Sequence, residues 1–172
     1  MNKPQKIIID GYNVIYAEEK LKQLAGADLN RARGALLERI KTYLRSKSLQ
    51  VTVVFDGRGG LTDTDPVMPE KLQVLFSASG HSADNLIIEI LKASPNPKEY
   101  IVVSSDQTDI GRTASGLGAQ VIASAEFLQR IGQQRQFQPG NRAEKPTPNE
   151  EDTDYWLNLF AEPGGKNNHR QE

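Results

Sequence analysis

KIIIDGYN at 6–13, VTVVFD at 51–56 and YIVVSSD at 100–106 share one pattern: a short apolar run that stops at an acid. Residues covered on both faces of a sheet lose the polar alternation of a half-exposed strand, so each run reads as a buried parallel strand. LQVLFS at 72–77 and AQVI at 119–122 add two more, for a sheet of five. Helical spacing fills the intervals. Leu29, Leu36, Leu37, Ile40, Tyr43 and Leu44 recur every three or four residues between the first two acid-ended runs. Ser82 reads as the cap of a second helix through Ile87, Ile90 and Leu91, which Pro95 and Pro97 stop. A third helix is expected from Thr108 to Ser115, and a fourth follows Ser124. The alternation predicts an α/β fold, a mostly parallel central sheet with helices on both faces.

The chain has 172 residues, enough for one domain and an appendage. The domain is expected over 1–132. From 133 to 172 the chain reads as a flexible polar tail, in which 150–160 forms one short helix with Tyr155, Trp156, Leu159 and Phe160 on one side. With 21 basic and 22 acidic residues, the total charge exerts no bulk pull toward nucleic acid or membrane. No signal-peptide core and no run of about 18 apolar residues is present, so a cytoplasmic location without membrane partners is expected.

The absence of cysteine removes disulfides, thiolate nucleophiles and thiolate metal sites. With only His81 and His169, a serine–histidine triad or a multi-histidine metal site is hard to assemble. Carboxylates remain. In an open parallel sheet ligands bind beyond the carboxyl ends of the strands, where Asp10, Asp56 and Asp106 stand. Taken singly, each acid also suits a turn or a helix cap. Together they repel one another unless protons or a cation intervene. Oxygen ligands without histidine or cysteine favour magnesium or manganese. Asp84, in the first turn of the second helix, and Asp109, one turn beyond Asp106, extend the candidate metal set. Asn13 could orient a water or a phosphate without adding charge, or simply form a turn within DGYN.

Residues 18–50 hold eight basic side chains against four acidic ones. Arg31 and Arg33 in that stretch, with Arg58 and Arg112 beyond strand-end acids, are candidate phosphate contacts. A solvated helix face is the plainer reading of the first group. DGRGG at 56–60 lacks the lysine–serine pair of a P-loop, no GxGxxG follows the first strand, and no GxSxG elbow occurs. An aspartyl-nucleophile phosphatase expects a second acid two residues after the first, where Tyr12 stands.

IIIDGYNVI at 7–15, VVFDG at 53–57, SADNLIIEI at 82–90 and VVSSDQTD at 102–109 resemble, in order and spacing, the YacP-like branch of the NYN domain family, one of the PIN-like metal-dependent nucleases. The likeness covers residues 5 to 132. It implies a PIN-like fold, an acidic pocket for magnesium or manganese, and an endoribonuclease acting on single-stranded RNA rather than DNA. It also implies a link to messenger RNA turnover on the translating ribosome. Position by position, Asp10, Asn13, Asp84 and Asp106 match the family's catalytic set, and Asp56 matches its second strand-end acid. The chain departs at Asn85, where similar sequences often carry an acid, and this bears on a second metal ion. The rival expectation is a non-catalytic RNA- or ribosome-binding module with a vestigial acidic pocket.

Overall fold

A computed structural model describes residues 5–57, 59, 60, 69–106 and 108–133. Among these, five strands form one sheet: β1 (Gln5–Asp10), β2 (Leu49–Phe55), β3 (Leu72–Phe76), β4 (Tyr100–Val103) and β5 (Gln120–Ile122). Their order is β3-β2-β1-β4-β5, and every pairing is parallel. Six α-helices among the described residues accompany them: α1 (Gly11–Tyr16), α2 (Glu19–Ala27), α3 (Leu29–Leu44), α4 (Ala83–Ala93), α5 (Ile110–Gly116) and α6 (Ser124–Gln133). The chain builds outward from β1 to β2 and β3, then crosses to β4 and β5 on the other side. The reversal opens a crevice beyond the carboxyl ends of β1 and β4.

Strand periodicity divides the core in two. On one face Ile8, Val54 and Val102 pack against Ala83, Ile87 and Leu91 of α4 and Ile110 and Ala114 of α5. The alternate residues, among them Ile7, Ile9, Val53, Phe55, Ile101 and Val103, are equally buried. On that second side α1, α3 and α6 contact one another. Each fully buried isoleucine or leucine contributes about 1.5–3 kcal/mol against exposure, so the two apolar layers hold the strand ends in place.

Three elements depart from the sequence reading. DGYN suits a turn, yet helix α1 begins at Gly11, directly after the strand, because the Asp10 carboxylate caps it by accepting the Asn13 backbone N–H at 3.1 Å. Helix α2 buries only Leu21 fully, which leaves too thin a stripe for periodicity to reveal. Helix α5 starts two residues later than expected, since Asp106 holds residues 108 and 109 in a turn. Among the described residues no helix is long and apolar enough to cross a membrane. Residues 134–172, including the helix expected at 150–160, lie outside the described residues.

Candidate active site at the carboxyl edge of the sheet

Asp10 ends β1 and Asp84 lies in the first turn of α4, whose N-cap is the Ser82 side chain, 3.2 Å from the Asn85 backbone nitrogen. The two carboxyl groups are close enough for a proton on either one to bridge them. Burial raises the Asp10 carboxyl to about 6; the Asn13 N–H opposes the shift, and the nearby charges of Asp84 and Asp56 add to it. Asp84 is raised as well, first by burial and then by the charge of Asp106, with Asp109 and Asp56 contributing and the bond to Asp10 working against them. The five acids expected at this edge are therefore electrostatically linked, with Asp84 at the centre.

The flanking acids are fixed by local bonds. Asp106 accepts the Thr108 hydroxyl at 2.8 Å, the Thr108 N–H at 3.0 Å and the Asp109 N–H at 3.2 Å, all on one oxygen. These donors hold its carboxyl below the usual range, the Thr108 hydroxyl most of all. Asp56 accepts the Ser77 hydroxyl at 3.0 Å, and Ser77 also receives the Gly57 N–H at 3.1 Å. Gly57 has φ +93°, a turn that a side chain would strain, and this takes the chain away from β2 just after its acid. Asp109 precedes α5 and is exposed.

Asn13 is committed on one side. Its side-chain oxygen accepts the Ser105 backbone N–H at 2.8 Å and the Ser124 hydroxyl at 2.6 Å. Those two donors fix which end of the amide is oxygen, so only the NH2 group remains to donate to a ligand.

Among the described residues no three histidine, aspartate or glutamate side chains stand close enough to grip one ion jointly. Asp10 and Asp84 are the pair in direct contact, and the other acids act across longer distances. The donor set is oxygen throughout. Its chemistry fits a hard divalent cation that keeps several of its waters, and displacing a bridging proton would relieve the crowding that raises both acids.

Of the expected phosphate contacts, Arg31 and Arg112 are exposed, and Arg58 lies outside the described residues. Arg33 is a correction. It is 5% exposed, with its guanidinium carbon 5.8 Å from the Phe55 ring centre and 5.2 Å from that of Phe76, and it donates to Asn30 at 2.6 Å. A side chain held against two rings packs the interior and does not meet a polyanion. Sequence reasoning missed Ser77 and Ser124 as groups that orient the site, whereas the SS pair before Asp106 reads from sequence as satisfying backbone or carboxylate groups, and here the Ser104 hydroxyl accepts the Asp106 N–H and the Ser105 hydroxyl the Ser124 N–H.

Comparison with known proteins agrees with this architecture. Among curated proteins, the uncharacterized protein YacP of Bacillus subtilis is 29% identical over 126 residues, 73% of this chain and 74% of that one. The crystal structure of Rae1 (YacP) from Bacillus subtilis superposes with a TM-score of 0.63 at 26% identity, covering 79% of this chain and 76% of that one. A crystal structure of a tryptophan-to-leucine mutant of the same protein gives 0.64 at 24% identity, covering 77% of each chain. The YacP-like NYN domain model matches residues 7–158, running past 132 into the stretch read from sequence as a tail. With that match spanning most of its length, the chain belongs to the YacP-like NYN domain family, a nuclease-like group.

Proposed function

We propose that this protein is a magnesium- or manganese-dependent endoribonuclease that hydrolyses phosphodiester bonds in single-stranded RNA, acting in messenger RNA turnover at the translating ribosome. The observation that carries this reading is the Asp10–Asp84 contact, around which Asp56, Asp106 and Asp109 converge at the carboxyl edge of the sheet. Asp10 and Asp84 would hold the cation directly; Asp106, with one oxygen free of its three donors, would reach it through water. A divalent cation there supplies charge stabilisation for the phosphoryl oxygens and a nucleophile at neutral pH. The chain's own groups do the rest. A cation held there would compete with a bridging proton for the oxygens of Asp10 and Asp84, so both would serve it as carboxylates. The Asn13 NH2 donates to a phosphate oxygen or to the attacking water, held in place by Ser105 and Ser124. Exposed Arg31 and Arg112 steer the backbone.

The deciding experiment compares wild type with Asp84→Asn on free and ribosome-bound messenger RNA in manganese. Cleavage by wild type and none by the variant, with circular dichroism unchanged, supports the reading. Equal cleavage by both removes Asp84 from the chemistry. RNA or ribosome binding that persists in chelator, with no cleavage of any RNA by wild type, replaces the enzyme with a non-catalytic binding module.

A further inference from the structure

Arg33 of α3 is the one charged side chain among the described residues that the fold buries, and its Nε–H has no hydrogen-bond partner among them. A buried donor left unpaired costs stability, and an apolar chain of similar length would fill the same space without it. What the guanidinium adds is a hold in two directions. On one side it lies against Phe55 and Phe76, which are partners in register at the ends of β2 and β3 with ring centres 5.7 Å apart. On the other, its Nη2 stands 3.5 Å from the Gly60 carbonyl oxygen, and a Cβ at Gly59 would come within 3.2 Å of Nη1 and 2.8 Å of the Phe76 ring. The bond to Asn30, one turn back on α3, fixes the group from within its own helix. Asp56 lies between the two holds: Phe55 precedes it, and Gly59 and Gly60 follow the turn at Gly57. Its hydroxyl partner Ser77 comes directly after Phe76, and the Ser77 N–H donates to the Phe55 carbonyl at 2.9 Å. Both ends of the Asp56–Ser77 bond are thus one residue from a ring that Arg33 touches.

We infer that Arg33 is a positioning residue for Asp56: by gripping the chain before and after it, the guanidinium sets where that carboxylate stands relative to Asp10 and Asp84. Asp56 is itself exposed and acts on those two acids through its charge. Such an interaction varies with separation, so a carboxylate released from this hold contributes less to a cation bound by Asp10 and Asp84. The inference rests on the metal-dependent nuclease reading for what Asp56 does there, and on the Arg33 contacts alone for where it stands. Arg33 itself meets neither RNA nor ion.

The test uses the whole chain without RNA and reads amide hydrogen exchange and manganese affinity. Arg33→Met removes the charge and the donors at similar length. Exchange at the Gly57 and Ser77 amides, whose bonds frame Asp56, should quicken about tenfold beyond the change at Ile8 and Val102. Those two, in the middle of the sheet, report any loss of global stability. Gly59→Ala, at an exposed position, should quicken the same Gly57 and Ser77 amides by crowding Phe76 and Arg33 with the charge intact, and it carries the comparison if Arg33→Met does not fold. Manganese, titrated by calorimetry, should bind Arg33→Met about fivefold more weakly than wild type. In an Asp56→Asn background the same substitution should change manganese affinity by less than about twofold, because Arg33 acts through that carboxylate. Quickening at Gly57 and Ser77 no greater than at Ile8 and Val102 reduces Arg33 to a packing residue and overturns the inference, as does an undiminished loss of manganese affinity in Asp56→Asn. A wild type that takes up no manganese defeats the metal-dependent reading of the acids; the exchange comparison then decides the Arg33 inference by itself.

Discussion

The side-chain oxygen of Asn13 accepts the Ser124 hydroxyl at 2.6 Å, tying α1 to α6 across 111 residues of chain. The same oxygen takes the Ser105 N–H, and the Ser105 hydroxyl receives the Ser124 N–H at 3.2 Å. Three segments distant in sequence thus meet at one amide beside the acids.

Removing that amide strands two donors. Asn13→Ala is expected to destabilise the fold by about 1–3 kcal/mol and Ser124→Ala by about 1 kcal/mol, with the double variant less affected than the sum of the two. Urea denaturation of the four proteins measures this directly, and strict additivity would mean the bond is not formed.

Asp10 gives a pH signature. Its carboxyl stands at about 6 in the fold against an ordinary 3.8. Between those values the folded state binds more protons than the unfolded chain, so stability falls as pH rises through that window and levels off above it. Asp10→Asn removes this fall while keeping a capping side chain for α1. In chelator the variant should exceed wild type by about 1–3 kcal/mol at pH 7.5, with the gap closing near pH 4. A constant gap across the range would refute the shift.

Loading the site should reverse that penalty. Manganese at about a hundredfold over its dissociation constant should stabilise wild type by about 2.7 kcal/mol. Asp84→Asn should show little of this gain in thermal melts with and without the ion; an identical gain in both proteins would locate the ion elsewhere.

Arg33 and Arg112 should part company. Arg33→Lys keeps the charge but loses the guanidinium's contact with the Phe55 and Phe76 rings, and about 1 kcal/mol of stability with it. Its salt dependence of RNA binding should match wild type. Arg112→Ala should leave stability within about 0.5 kcal/mol and flatten the slope of log affinity against log salt by about 0.7 if it meets one phosphate. An altered slope for Arg33→Lys would return that residue to the RNA surface.

The sheet was legible because three of its strands are apolar runs that lead to an acid, and those acids lie at the carboxyl edge because every strand is parallel. What escaped reading depends on neighbours from elsewhere in the chain. Arg33 looks like its exposed neighbour Arg31 until Phe55 and Phe76 are brought over it from two different strands. The Asn13 amide resembles any turn asparagine until Ser124 arrives.

Gly11 and Phe55 show how the edge keeps its spacing. A Cβ at position 11 would overlap the Phe55 ring, so the backbone after β1 rests directly on an aromatic side chain of β2. Asp10 comes just before that glycine and Asp56 just after that phenylalanine. The distance between two like-charged neighbours is thereby gauged by hydrocarbon, as a jig holds parts before they are joined. Any methyl group added at position 11 would shift the whole jaw, and with it the aperture offered to an incoming ion.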